Sequence, residues 1–280
     1  MSKRGYQFLF LLPIGFLVVF FLYPILSILQ RSLQPAAFVE VVQKASFAKV
    51  LWFTLWQAVV STLLTLLVAL PAAYLFGRFR FPGKTALRAL STVPFVMPTV
   101  VVATAFRALL GPRGWVNLSL QSLFDLPYAP LDLERTVGLI LLAHVFYNYA
   151  VVVRIVGGYW SNLSQHTEEA ASVLGANRWR VFRLVTLPAL MPAIVTASLL
   201  IFLFTFTSFG VILILGGPGF STLETEIYRQ AMSFLDLPSA AVLSVIQIFI
   251  TYGVMLAYSV LSQRSTVPVR FQARRELQKR

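Results

Sequence analysis

Long apolar runs alternate along this chain with short segments that carry most of its charged residues. A helix needs about 20 predominantly apolar residues to cross the hydrocarbon core of a bilayer, and six runs meet this requirement. They lie at about 6–29, 51–76, 86–110, 136–157, 189–215 and 239–262. The pattern predicts an all-α membrane protein with six transmembrane helices in residues 1–262, followed by a basic tail over 263–280.

The composition agrees with this interpretation. Hydrophobic residues make up 58% of the 280 and charged residues 12%, and the mean hydropathy is +0.78, whereas a soluble domain is roughly half apolar and about a quarter charged. The first run has a basic start like a signal peptide, but it is too long and has no clear cleavage site, so we predict an uncleaved first span. The net charge of +13 is dispersed between the apolar runs, which excludes nucleic acid as an expected partner.

The distribution of lysine and arginine predicts the orientation in the membrane, because loops rich in these residues stay in the cytoplasm. If the N-terminus is inside, most of the 23 lysines and arginines fall in segments that are also inside, including the loop at 160–188 and the tail. We therefore predict a multi-pass protein of the cytoplasmic (inner) membrane with both termini in the cytoplasm.

The loop at 160–188 has the pattern of a short helix that is followed by a glycine break. Thr167 can cap this helix with its hydroxyl, and Glu168 and Glu169 then occupy the first turn, where carboxylates complement the positive end of the helix dipole. Gly175 follows as the residue that ends the helix. The spacing predicts a helix over 168–174.

The second part of the same loop is basic. Asn177 can cap it, and it carries Arg178, Arg180 and Arg183. Pro188 then opens the apolar run of the fifth predicted span, since proline is tolerated at the start of a helix and not in its interior. We expect a second short helix that ends before this proline.

The segment Gly77–Thr85 resembles a phosphate-binding loop at its end, where glycine, lysine and threonine follow one another. A phosphate-binding loop has four residues between its two glycines and follows a strand, whereas here five residues separate Gly77 from Gly83 between two apolar runs. The arginines of this segment fit a short cytoplasmic hairpin. Any ATP that this protein uses must therefore be bound by a partner.

A few polar residues inside the apolar runs are candidates for a translocation path. His144 and Asn148 are four residues apart and share a helix face, where they either line a polar path or form a buried hydrogen bond between helices. Thr205 and Ser208 either contact a solute or join two helices. Pro98 either kinks an ordinary bundle helix or breaks a helix that lines the path.

Catalytic and metal-binding patterns do not occur in the sequence. It contains no cysteine, and its two histidines, His144 and His166, are too far apart in sequence for a convincing metal site. The acids lie almost entirely in the loops, which disfavours an intramembrane hydrolase. We expect no catalytic residue, no bound metal and no cofactor in this chain.

The loop at 160–188 resembles the segment that defines the permease subunits of binding-protein-dependent ABC importers. The pattern is Glu-Ala-Ala at 169–171, Gly175 after three residues, and an aliphatic residue, any residue, leucine and proline at 185–188. Weaker similarity to the thiamine and ferric-iron permeases extends over nearly the whole chain, and most of it is to the first six-span half of the thiamine permease. It rests on the segments 55–58, 80–83, 113–115, 138–148, 215–218, 222–224 and 227–228.

This resemblance implies the type I, MetI-like permease fold and a docking role for the helix over 168–174, which would enter a groove of a separate ATPase subunit. The residues that it places at this contact are Glu168, Glu169, Ala170, Ala171, Val173, Leu174, Gly175, Arg178 and Pro188. The implied partners are ATP-binding-cassette ATPase subunits, an extracytoplasmic solute-binding protein, and a second permease copy or a second six-span half.

The expected function is thus that of a permease subunit that moves a small solute, thiamine or ferric iron, by alternating access while its partner hydrolyses ATP. The chain itself is not expected to be an enzyme. A secondary transporter driven by an ion gradient is the alternative, although it would need an acid inside the spans or an inverted repeat.

Overall fold

The computed structural model describes residues 11–32 and 35–264, and every regular element in these two ranges is helical. Within them, five helices are long and apolar enough to cross a membrane. They are α1 (Leu11–Gln30), α3 (Ala45–Arg78), α7 (Val137–Asn162), α9 (Arg178–Phe206) and α11 (Leu237–Arg264). The predicted residues 6–10 of the first span and 265–280 of the tail lie outside the described ranges.

Six shorter helices connect or interrupt these spans. They are α2 (Pro35–Gln43), α4 (Lys84–Val96), α5 (Thr99–Leu110), α6 (Trp115–Phe124), α8 (Gln165–Val173) and α10 (Leu223–Tyr228). A sixth membrane crossing is present if α4 and the segment that follows it are counted as one span.

The third predicted span, 86–110, is not one continuous helix. The chain breaks at Met97 and Pro98, and α4 meets the segment Thr99–Phe124 at an angle of 104°. Pro98 has no N–H to donate, and its ring disfavours the helical conformation of the residue before it. Met97 is accordingly extended, with φ −69° and ψ 141°.

The fifth span also differs from its prediction of 189–215. The helix α9 begins at Arg178 and continues through Pro188 to Phe206, so the second short helix that we expected to end before the proline is instead the first part of the span. A wider π-helical turn, Phe182–Thr186, directly precedes Leu187 and Pro188. This turn accommodates the proline because the regular helix starts again at Leu187, where the missing N–H is tolerated. In the C-terminal part of the predicted span, the regular helix ends after Phe206, and a π-helical turn, Ile212–Gly216, follows.

The described chain divides into two compact units, which are considered separately. The first covers residues 11–53 and 221–250, and the second covers 54–220 and 251–264. In the first unit, the side chains of Thr222 and Thr225 form a capping box at the start of α10. Asp236 caps α11 by accepting from the Ser239 N–H at 3.1 Å, and its hydrogen bonds with Ser239 hold the pKa of the Asp236 carboxyl below its usual range.

The core of the second unit lies among α3, α7 and α9. Alanines on α3 and α9 pack here with larger side chains of α7 and α9, and the buried members of this core are Ala69, Ala73, Val151, Val152, Val156, Trp160, Leu190, Ala193, Ala197 and Ile201. The helices α3 and α7 approach each other closely at Gly77, where an added Cβ would lie 2.8 Å from the Trp160 Cβ and 3.1 Å from the Gly157 carbonyl oxygen. We call the end of the bundle that contains Arg78, Asn162 and Arg178 the coupling end.

Candidate functional site

The helix α8 lies at the coupling end, between α7 and α9. It begins at Gln165, three residues before the predicted start, and Ser164 occupies the cap position without a side-chain hydrogen bond. The expected cap at Thr167 is therefore wrong, because Thr167 lies inside the first turn. Glu168 lies in the first turn, as predicted from the helix dipole, whereas Glu169 lies beyond it.

The C-terminal end of α8 has the hydrogen bonds of a Schellman motif. Gly175 has φ +85°, its N–H donates to the Ser172 carbonyl at 3.0 Å, and the Ala176 N–H donates to the Ala171 carbonyl at 3.1 Å. Only glycine adopts this left-handed conformation without strain, so the predicted role of Gly175 as the helix terminator is confirmed. The cap of the next helix is confirmed as well, since the Asn177 side-chain oxygen accepts from the Arg180 N–H at 2.8 Å.

The two adjacent glutamates of α8 point to different environments. Oε1 of Glu168 accepts hydrogen bonds from the Arg78 guanidinium at the end of α3 and from the Thr186 hydroxyl of α9, the latter at 2.7 Å. The Glu169 side chain is 67% exposed, and its Oε2 lies 3.5 Å from Nδ1 of His166 on the same helix. The sequence treated both residues as docking groups, whereas the structure connects only Glu168 to the rest of the bundle.

The tip of α8 presents apolar side chains to the outside. Val173 is 87% exposed and Leu174 is 88% exposed, which makes them the two most exposed large apolar residues in the described ranges. Trp179, across the Gly175 turn, is 68% exposed. Of the other predicted docking residues, Ala170, Arg178 and Pro188 are exposed, and Ala171 is half-buried. An exposed apolar ridge on a short helix is suited to insertion into a groove of a partner.

The loop that resembles a phosphate-binding loop has a structural role at the same end. Gly83 has φ +80° and precedes α4. The Lys84 ammonium donates to the Phe79 carbonyl at 2.8 Å, and the Arg88 guanidinium lies 5.8 Å from the centre of the Phe76 ring. These contacts close the hairpin between α3 and α4, and they use the lysine to satisfy a backbone carbonyl at a helix end.

His144 is the centre of a buried polar cluster in the second unit. Its Nδ1 lies 2.9 Å from the Ser61 hydroxyl of α3, and its Nε2 lies 2.9 Å from the Ser208 hydroxyl that follows α9. Hydroxyls both donate and accept, so the two serines satisfy either tautomer of the ring. Asn148 donates to the His144 carbonyl at 2.9 Å. The four side chains are all buried in this chain.

Thr205 belongs to the same region through Gln57 of α3. The Gln57 side-chain amide donates to the Thr205 carbonyl at 2.9 Å, while the Thr205 hydroxyl donates to the Ile201 carbonyl at 2.8 Å. Oε1 of Gln57 is buried without a hydrogen-bond partner. The roles of Gln57 and Ser61 were not predicted from the sequence. A polar amide and a hydroxyl within an apolar run could have indicated that these residues form hydrogen bonds between helices.

The break at Pro98 lies next to the break after α9. A Cβ added at Gly210 would lie 2.3 Å from the Thr99 hydroxyl oxygen, so the two breaks are in direct contact. The Tyr147 hydroxyl of α7 donates to the Met97 carbonyl at 3.5 Å. The structure thus brings the five predicted path residues to one region, where α7 supports both breaks. Their role in translocation stays a prediction.

A first prediction concerns the hydrogen bonds of His144. Removing the ring by His144→Ala leaves the buried hydroxyls of Ser61 and Ser208 without a partner, which costs about 1–3 kcal/mol for each buried polar group left unsatisfied. We expect a lower midpoint of thermal unfolding for the purified protein in detergent. Ser161→Ala, which removes an exposed hydroxyl on α7, is the matched control, and equal midpoints for the two variants would contradict the proposed bonding.

An open cleft of about 600 Å³ lies at the end opposite the coupling end. Arg107, Arg113 and Glu134 contribute its charged lining. Arg107 donates to Glu134 at 2.6 Å, so its position near the end of a predicted span is explained by an ion pair with the following loop. The cleft combines exposed cations with a paired acid.

Helices of membrane-spanning length, a buried polar cluster in the second unit and a tethered helix with an exposed apolar tip are features typical of a membrane transport permease. The comparison with known families agrees. Residues 69–267 match the family described as binding-protein-dependent transport system inner membrane component. This match covers more than half of the chain, and the chain belongs to that family.

Two relatives illustrate the similarity. The thiamine transport system permease protein ThiP of Escherichia coli (strain K12) is 35% identical over 229 residues, which are 81% of this chain and 41% of ThiP. The chain thus spans about two fifths of the length of that relative. The permease protein PhnU of Salmonella typhimurium, which is named for 2-aminoethylphosphonate transport, is 28% identical over 264 residues, or 92% of each chain.

Solved structures confirm the fold. A chain of a bacterial ABC transporter involved in the import of the acidic polysaccharide alginate has a TM-score of 0.77 at 20% identity, with 94% of this chain and 97% of that chain covered. A chain of the MetNI methionine ABC transporter has a TM-score of 0.56 at 16% identity, with 78% and 95% covered. The predicted MetI-like permease fold and the predicted family are therefore confirmed.

Proposed function

We propose that this chain is the transmembrane permease subunit of an ATP-binding-cassette importer and that α8 is the helix through which a separate ATPase subunit docks. The observation that carries this proposal is the exposed tip of α8. Val173 and Leu174 are almost fully exposed, and Glu169, one turn before Val173, is 67% exposed with its carboxylate beside His166 of the same helix. Burial of these two apolar side chains in a groove provides the docking energy.

Transport follows from the way in which α8 is attached. It is joined to α7 by two residues and to α9 through the Gly175 turn, so a displacement of α8 moves the coupling ends of both helices. When two ATPase subunits close around ATP, they pull these ends and shift the bundle between inward-open and outward-open states. The breaks at Pro98 and after Phe206 absorb the change, because helix breaks deform more easily than continuous helices.

The solute that we propose is a small charged organic molecule that an extracytoplasmic binding protein delivers. ThiP is named for thiamine transport and PhnU for 2-aminoethylphosphonate transport, and both compounds are small, charged and nitrogen-containing. Ferric iron, which we considered from the sequence, gains no support from these relatives. We propose that the second half of the pathway comes from a second permease copy or from a second six-span half.

The experiment is reconstitution of the permease in liposomes with the ATPase that copurifies with it. We expect uptake of thiamine or 2-aminoethylphosphonate that requires the binding protein and ATP hydrolysis, and that persists when ion gradients are collapsed with ionophores. Uptake that follows a proton or sodium gradient without the ATPase would instead establish a secondary transporter. Comparison of the two solutes, each with its own binding protein, decides between them.

A further inference from the structure

The connection between Glu168, Arg78 and Thr186 joins three helices through one carboxylate oxygen. Glu168 Oε1 accepts from both Arg78 and Thr186. The Arg78 side chain is only 9% exposed, and Thr186 is 5% exposed. Charge-assisted hydrogen bonds in such a partly buried site are stronger than those between neutral groups in water. The contact therefore holds α8 in a defined orientation against the ends of α3 and α9.

Arg78 is anchored to the rigid part of the bundle. It is the last residue of α3, and the residue before it, Gly77, packs directly on Trp160 of α7. Ala73, one turn earlier, belongs to the same core. The end of α3 cannot move independently of α7, so a force that reaches Arg78 is transmitted to the packed core rather than absorbed by a loose helix end.

The partner of Arg78 lies on α8 and not on a neighbouring residue of α3. The chain links α8 directly only to α7 and α9, and these two helices contact α3 through the core of the second unit. Without the ion pair, α3 receives the movement of α8 only indirectly. The Glu168 carboxylate supplies the missing direct connection.

Thr186 gives the same carboxylate a second attachment on α9. Thr186 is the last residue of the π-helical turn Phe182–Thr186. Threonine in a helix commonly donates back to a carbonyl of its own helix, but this hydroxyl donates to Glu168 instead. A widened turn of this kind is frequent at functional sites, and here it presents the threonine hydroxyl to α8.

We propose that Glu168 is a positioning residue that transmits the movement of the docked helix to α3 through Arg78 and to α9 through Thr186, while Glu169 faces the ATPase. This inference rests on the proposed function. It assigns different roles to two adjacent residues of the same type on one short helix. The ATPase docks on the outer face of α8, and Glu168 transmits the movement of α8 to the bundle.

The test compares Glu168→Gln with Glu169→Gln in the complete transporter. We expect Glu168→Gln to retain the copurified ATPase and its turnover but to lower the amount of solute taken up per ATP by about tenfold, because the neutral amide oxygen accepts from Arg78 more weakly than the carboxylate does. Thr186→Val is expected to shift the same ratio in the same direction. Glu169→Gln is expected to reduce copurification while leaving the uptake per ATP of the remaining complex unchanged.

A chemical rescue distinguishes transmission from a general loss of structure. The chain has no native cysteine, so Arg78→Cys combined with Glu168→Cys can be joined specifically by a short bis-methanethiosulfonate reagent. We expect the crosslink to restore uptake per ATP and a reductant to remove the recovery. Without the crosslink, the double variant should behave like Glu168→Gln.

The outcomes separate the inference from the function on which it rests. If unmodified permease binds no ATPase, the proposed function fails and the inference falls with it. If the ATPase binds and Glu168→Gln takes up solute per ATP as the unmodified protein does, the inference alone is wrong. It is also wrong if the two glutamine variants reduce copurification equally, because Glu168 would then be a docking residue.

Discussion

Leu174→Asp is expected to abolish copurification of the ATPase subunit and ATP-dependent uptake. The side chain is 88% exposed in the free chain, so docking would bury nearly all of it. Full burial of a leucine is worth about 1.5–3 kcal/mol, and an unpaired carboxylate in the same groove adds a further penalty. Together these terms weaken association by at least about a hundredfold. The measurement is the ratio of ATPase to permease after affinity purification in detergent.

Two comparisons make this result specific. Because Leu174 contributes little to packing within the chain, the variant should insert and unfold at the same temperature as the unmodified permease. Tyr128→Asp changes a similarly exposed side chain, at 82%, in the loop between α6 and α7 on the side opposite the coupling end. That variant should retain the ATPase. Normal copurification with Leu174→Asp would contradict the docking role of α8.

Gly77→Leu is expected to destabilise the permease strongly. A Cβ at this position would lie 2.8 Å from the Trp160 Cβ and 3.1 Å from the Gly157 carbonyl oxygen, and neither atom belongs to the flexible end of a side chain. Overpacking of a close-packed interface typically costs about 1–3 kcal/mol, and the remainder of a leucine side chain adds to the clash. We expect a lower unfolding temperature in detergent and reduced ATP-dependent uptake, since Arg78 follows directly.

Gly158→Leu is the matched control for this substitution. Gly158 belongs to α7, next to Gly157, but nothing lies within 4 Å of a Cβ added there. Replacement of a helical glycine by leucine removes the backbone entropy cost of glycine, so this variant should be as stable as the unmodified protein or slightly more stable. Equal destabilisation by both substitutions would show that the contact of Gly77 with α7 is not tight.

Local features of the coupling segment were predictable because neighbouring residues determine them. Gly175 ends α8 through its own positive φ, and Asn177 caps α9 with its own side chain. The prediction failed at Thr167, because the helix begins earlier, after Ser164. Ser164 and Thr167 are both residue types that favour a helix N-cap, and the sequence pattern alone does not decide which of the two starts the helix.

The spans were predicted by their length and hydropathy, but a break at Pro98 was only one of two open alternatives, and the break after Phe206 was not predicted. Pro98 breaks the third run, whereas Pro188 leaves α9 continuous. The same residue type has opposite outcomes: Met97 before Pro98 is extended and the helix ends, whereas Pro188 follows a widened turn and stands where a regular helix restarts. Such differences depend on the packing of neighbouring helices, which compensates for a lost backbone hydrogen bond in one place and not in another.

The sequence by itself determined the class of this protein: apolar runs of membrane-spanning length, a capped helix with a glycine terminator between two of them, and the pattern of a transport permease. These properties depend on hydropathy, spacing and local backbone preferences. Only the tertiary structure decided which glutamate of α8 faces inward, and that Ser61 and Ser208 share His144. Arg78 and Glu168 are separated by 90 positions in the chain, and no periodicity within one helix specifies a partner on another. Their contact arises because the close approach of α3 and α7 at Gly77 positions the end of α3 beside α8.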